Sequence, residues 1–136
     1  MNDQLTTGQC LCGAVTFRIS GTFESFFLCH CSRCRKDTGT AHAANLFSSK
    51  ATITWLSGTD RISTFTLPGS RHAKSFCSTC GAALPMSQTD GGFVVVPAGC
   101  LDSPIDLRPT AHICMADRAT WDNDLEAIPR MDGLPG

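Results

Sequence analysis

The sequence predicts a mainly β protein, and three observations carry that expectation. Short apolar or alternating runs are separated by Gly, Pro, Ser and Asp. No stretch shows the apolar periodicity of an amphipathic helix of convincing length. The 136 residues, 42% of them hydrophobic, suffice for one core but hardly two. One domain over residues 1–136 is the expectation.

Taken in order, the predicted strands are Ala14 to Ser20, Phe26 to Cys29, Ala43 to Phe47, Thr52 to Leu56, Arg61 to Leu67, Gly92 to Pro97 and His112 to Met115. Each is rich in β-branched, aromatic or alternating residues. Breakers at Gly21, Gly58, Pro68-Gly69, Asp90-Gly91-Gly92 and Pro104 separate several of them. Arg35 to Gly39 reads as a single helical turn stopped by its glycine. Residues 109–136 read as one last strand followed by a wrapping tail. Neither repeats nor low-complexity segments interrupt this order.

Met1 to Gly8 is polar and lacks the apolar stretch of a signal peptide, and no later run approaches membrane-spanning length. A soluble, cytoplasmic protein is expected. In a reducing compartment disulfides rarely persist, and the odd count of nine cysteines fits a fully paired framework poorly. Metal ligation is the better reading. The formal charge of -1 offers no general attraction for nucleic acid or membrane. Seven metal-bound thiolates and two zinc ions would add -7 + 4 = -3, bringing the chain to about -4.

Seven cysteines fall into three clusters: Cys10-Leu11-Cys12-Gly13, Cys29-His30-Cys31-Ser32-Arg33-Cys34 and Cys77-Ser78-Thr79-Cys80-Gly81. A closed tetrahedral zinc site takes four protein ligands, whereas a reactive one takes three and leaves a position open. Seven divides naturally into one of each. An extended Cys10-Leu11-Cys12 would turn both sulfurs to one face, and the Cys77 to Gly81 knuckle would bring two more together. The middle cluster offers three sulfurs within six residues. His30 competes for the fourth position, but an extended backbone would turn it to the opposite face. An iron–sulfur cluster remains open, although four thiolates are usual there.

Three thiolates offset most of the charge of a zinc ion and leave it a poor activator of water. Such a site favours a soft incoming ligand, above all another thiolate. Arg33, Arg35 and Lys36, beside Cys34, are candidate partners for an anionic thiol; an ordinary solvated face is the competing reading.

The segment Cys29-His30-Cys31-Ser32-Arg33-Cys34-Arg35-Lys36-Asp37-Thr38-Gly39 resembles the signature of the glutathione-dependent formaldehyde-activating enzyme family, which includes centromere protein V. Gly8-Gln9-Cys10-Leu11-Cys12-Gly13-Ala14-Val15 resembles its opening strand, and Lys74-Ser75-Phe76-Cys77-Ser78-Thr79-Cys80-Gly81 its second half-site. Gly99 to Asp102, Ala111-His112-Ile113, Trp121 and Asp132 to Pro135 match later landmarks. Ala82 and Pro85 depart, standing where hydroxyl and larger apolar or aromatic residues are usual.

The resemblance implies a zinc-binding β-tent of antiparallel sheets, shared with type B methionine sulfoxide reductases. It implies two zinc ions, a structural one on Cys10, Cys12, Cys77 and Cys80 and a catalytic one on Cys29, Cys31 and Cys34. It also implies condensation of glutathione with formaldehyde, a carbon–sulfur lyase reaction when written in reverse. On that reading Arg33, Arg35 or Lys36 pairs with substrate carboxylates, and His30 or His112 protonates the developing alkoxide. Trp121 is expected to cover the core, and Cys100 and Cys114 to be buried apolar side chains. Two alternatives stay open: a module that binds glutathione or another thiol without turnover, and a methionine sulfoxide reductase-like redox enzyme with Cys114 or Cys100 as nucleophile.

Overall fold

A computed structural model describes residues 4–88 and 92–136, so the predicted breakers Asp90 and Gly91 lie outside the described residues. The chain runs β1 (Leu5–Gln9), β2 (Thr16–Ser20), β3 (Ser25–Cys29), α1 (Ser32–Thr38), β4 (Ala43–Ser48), β5 (Thr52–Ser57), β6 (Ile62–Thr66), β7 (Ala73–Cys77), β8 (Ala83–Leu84), β9 (Met86–Ser87), β10 (Val94–Pro97) and β11 (Ala111–Ile113). Short 3-10 turns punctuate this order. The strands form three sheets, ordered β1-β2-β5, β11-β3-β4-β10-β9 and β6-β7-β8. The protein is mainly β, as predicted. No helix among the described residues is long and apolar enough to cross a membrane.

Alternation decides which faces meet. In β2, Phe17 and Ile19 are fully buried while Arg18 between them is exposed. Phe17 packs edge-on against Trp55 of β5, with ring centroids 5.7 Å apart. Leu46 of β4 lies opposite Val96 of β10, and both are buried. Leu84 of β8 joins them, so all three sheets feed one hydrophobic cluster.

All seven predicted strands form, with shifted ends. β1 and β7 were not predicted from residue pattern, because their buried faces carry small or polar side chains. Thr6 is buried in β1, with its hydroxyl near the Ile19 carbonyl at 3.4 Å. Ser75 and Cys77 are buried in β7. The expectation of antiparallel sheets holds for every described pairing except β11, which runs parallel to β3. Thr110 anchors that exception at the start of β11: its N–H donates to the Phe26 carbonyl at 2.6 Å, and its hydroxyl accepts from the Phe26 N–H at 3.0 Å.

Gly58 has φ of 75°, and a β-carbon there would collide with the Ala14 carbonyl. Gly58→Ala is therefore expected to destabilise the protein by about 2–4 kcal/mol, measurable as a lower denaturation midpoint with an unchanged m-value. Glu24 offers a pH-dependent counterpart. Its carboxylate accepts the Ser49 hydroxyl at 2.7 Å and the Ser49 N–H at 3.1 Å, which hold its pKa below the ordinary value. A carboxyl whose folded pKa is depressed adds stability above its unfolded pKa and loses it as pH falls through the folded one. Glu24→Gln should be less stable than wild type at pH 7, with the gap closing as pH falls below about 4; a gap constant with pH would refute the assignment.

Candidate metal centres

β1 ends in a knuckle. The Cys10 N–H donates to the Val15 carbonyl at 3.0 Å, and the Gly13 N–H returns to the Cys10 carbonyl at 3.1 Å. Gly13 has φ of 83°. β7 ends in the same way, with the Cys77 N–H on the Ala82 carbonyl at 2.9 Å and the Gly81 N–H on the Cys77 carbonyl at 2.7 Å. The Cys10-Leu11-Cys12 stretch is thus a turn, not the extended segment predicted. Two sulfurs still converge, because the turn folds Cys12 back over Cys10.

The Cys10 and Cys12 sulfurs are 3.6 Å apart, and Cys12 and Cys77 are 3.9 Å apart. All four sulfurs of Cys10, Cys12, Cys77 and Cys80 lie within 4.8 Å of one another. A tetrahedral zinc thiolate site with bonds of about 2.3 Å requires sulfur separations near 3.8 Å. The four thiols therefore fit a metal ion of that kind. Their proton affinities are unequal: amide donors at Ala82 and Cys12 lower Cys80 to about 6, while for Cys12 the pull of the Ala14 amide is outweighed by desolvation and neighbouring thiols, which together push it up to about 11.

The second cluster is built on a different backbone. β3 delivers Cys29, the chain passes through His30, and Cys31, still extended, caps α1 with its sulfur accepting the Cys34 N–H at 3.3 Å. One turn on, Cys34 is buried. The helix ends where Gly39, in the left-handed conformation, donates to the Arg35 carbonyl at 2.8 Å. It begins three residues earlier than predicted because the Cys31 cap supplies its start. The sulfurs of Cys29, Cys31 and Cys34 lie within 4.8 Å of one another, and no other Cys, His, Asp or Glu among the described residues completes the group. Burial pushes the Cys29 and Cys34 thiols up, whereas Cys31, despite burial, is held below the usual value by the Cys34 amide and its neighbours.

His30 turns away from these sulfurs. It is 1% exposed, with Nε2 2.9 Å from His112 Nδ1 and Nδ1 2.8 Å from Asp122 Oδ2. His42 packs on it with ring centroids 4.9 Å apart, and burial together with His30 and His112 lowers the His42 pKa. Residue pattern gave no sign of His42 or Asp122, since neither lies in a cysteine cluster. β11 sets His112 in register with Leu28, and Ile113 with Cys29, which brings the C-terminal segment to the three-cysteine site.

Other expectations change. Cys114 is exposed, not buried, sits at φ of 57°, and its thiol is near enough to contribute to raising the Cys29 pKa. Cys100 is partly buried against the core, and burial pushes its thiol up to about 12. Trp121 is 60% exposed and does not cover the core. Arg33 and Lys36 are exposed and Arg35 is half-buried, and none of the three lines the cavity of about 230 Å³ that opens onto Cys34. Its cationic walls are Arg71 and Lys74, with His72 between them, residues that the spacing did not single out. Pro85, one of the departures from the family pattern, lines a neighbouring groove of about 920 Å³.

Comparison with known proteins agrees with this geometry. The family model for glutathione-dependent formaldehyde-activating enzyme matches residues 5–117, which include all seven clustered cysteines. A Halomonas elongata protein that carries that enzyme name provisionally is 32% identical over 127 residues, covering 86% of this chain and 79% of its own. A crystal structure of a Rhodobacter sphaeroides protein aligns with a TM-score of 0.56 at 26% identity, over 78% of this chain and 98% of that one. Motif, metal-competent geometry and family match agree, and the chain belongs to the glutathione-dependent formaldehyde-activating enzyme family.

Proposed function

We propose that this protein is a zinc-dependent carbon–sulfur lyase of the cytoplasm that condenses glutathione, or a related thiol, with formaldehyde. The observation that carries the reading is the three-sulfur group Cys29, Cys31 and Cys34, which no fourth Cys, His, Asp or Glu among the described residues joins within 4.8 Å and which adjoins a cavity at Cys34. Cys10, Cys12, Cys77 and Cys80 would hold a structural zinc, and the trio a catalytic one. When bound, the catalytic zinc would supply a position that stabilises an incoming thiolate.

The chain's own contribution is to hold and order the reactants. The thiol sulfur attacks the aldehyde carbon, a carbon–sulfur bond forms, and the carbonyl π-electrons pass to oxygen. The thiol proton ends on that oxygen. His112 suits this transfer: Nδ1 is engaged by His30, and the ring is exposed. His30, flanked by Asp122 and His112, orients the pair. Holding thiol and aldehyde together supplies most of the rate, as for other bimolecular condensations.

Metal analysis separates the two sites. Wild type should contain two zinc ions per chain, and Cys31→Ser one, with folding retained and glutathione binding lost. Loss of folding in Cys31→Ser would make the trio structural and end this reading. Cys77→Ser should lose both metal and the folded state, because it opens the link between two sheets. Acceleration of thiohemiacetal exchange, followed by NMR, distinguishes enzyme from binder: a holoprotein that binds glutathione without speeding exchange is a carrier.

A further inference from the structure

We propose that the cavity beside Cys34 is a carboxylate-recognition subsite, in which Lys74 and Arg71 receive one acidic arm of the thiol substrate. The inference rests on the thiol-binding reading above and adds where the rest of that thiol goes.

The cavity has about 230 Å³ of space, with Cys34 in one wall and Phe47, Leu84 and Val95 among its apolar lining. Its charged lining is arranged rather than scattered. Lys74 Nζ donates to the Asp37 backbone carbonyl at 2.8 Å and lies 3.1 Å from Asp37 Oδ1. Asp37 Oδ2 is occupied by His72 Nε2 at 2.8 Å. Both carboxylate oxygens of Asp37 are thus engaged, and an ammonium has a third proton to give. Lys74 is held in place at 27% side-chain exposure, so an incoming carboxylate meets a cation whose freedom is already restricted.

Arg71 supplies what Lys74 cannot. It is exposed, forms no ion pair among the described residues, and lines both this cavity and the groove of about 920 Å³. Lys74 and Arg71 against the single carboxylate of Asp37 leave the lining positive. A wall of this sign beside a cluster of thiols selects a ligand that carries a carboxylate as well as sulfur. Size adds a constraint. Pockets that enclose a whole small ligand usually exceed roughly 300 Å³, so this cavity takes one arm, and the remainder extends past Arg71 into the larger groove, with which it shares Met86 and Gln88. An extended, acidic peptide thiol fits that division.

The test compares glutathione with its diethyl ester, in which both carboxylates are blocked, by calorimetry on the zinc-loaded full-length protein. Wild type should prefer glutathione by about ten-fold, the scale of one charge-assisted contact. Lys74→Met should cut that preference about five-fold and Arg71→Ala about two- to three-fold, with affinity for the ester unchanged. Arg71 is exposed and unpaired, so its variant keeps the experiment decisive if Lys74→Met folds poorly. A preference unchanged in Arg71→Ala and in folded Lys74→Met overturns the subsite, as does collapse of the preference in Arg33→Ala/Lys36→Ala instead. Equal binding of acid and ester by wild type sinks the subsite alone, whereas failure to bind either sinks the thiol reading and the subsite together.

Discussion

Four sulfur atoms from two separate sheets meet at one point, and the placement of the other elements follows from that convergence. Cys10 and Cys12 leave the end of β1, and Cys77 and Cys80 leave the end of β7. The backbone hydrogen bonds that shape each knuckle are local, and the Cys12 amide links the two by reaching the Cys80 sulfur. What the sulfurs add is long-range: Cys12 and Cys77 are 65 positions apart in sequence yet 3.9 Å apart in space. Closing so long a loop costs chain entropy that no single contact recovers. A metal ion bound only by the assembled four would offset that cost, since its binding free energy would then be folding free energy. The sheets themselves are small, and the buried cluster that joins them draws only a few large side chains from each.

The three-cysteine group obeys a different constraint. Its ligands come from one strand end and the first turn of one helix, so the fold does not need it to bring distant segments together. The surroundings are correspondingly more open. β11 lies beside β3, and the tail behind it carries Asp122 to the buried face of His30. The cavity lies toward β7 and β10. His30, although flanked by two cluster cysteines in sequence, spends both ring nitrogens on His112 and Asp122. Alternation along an extended chain turns sulfur one way and imidazole the other.

That contrast explains how far the sequence could be read. The split of seven cysteines into four and three is local information, because spacing within each cluster limits how its sulfurs can converge. The strands with apolar alternation were equally legible. β1 and β7 were not, because Thr6, Ser75 and Cys77 fill buried positions that an apolar pattern would assign to larger side chains. The cations of the cavity were illegible for a related reason: Arg33 and Lys36 are neighbours of Cys34 along the chain and are exposed on the helix, while Lys74 reaches the cavity from a strand forty residues away. Asp122, His42 and the exposed position of Cys114 depend on where the C-terminal segment docks, and no local pattern specifies that.

The same residue type thus stands in two different settings because the backbone behind it differs. In the knuckles, turns return amide hydrogens toward sulfur and strand pairing surrounds the group. In the trio, Cys29 ends β3 while Cys31 and Cys34 sit at the start of a helix of seven residues, whose amide at Cys34 serves the Cys31 sulfur. Burial holds Cys29 above the usual thiol value despite the Cys31 amide, and holds Cys34, which has no such amide, above it as well. Three thiols so placed resist ionising together unless a cation draws them into the charged form. The geometry of the trio and its proton affinities therefore point the same way: the group could hold a metal ion that balances three thiolate charges, and the cavity opens onto its Cys34.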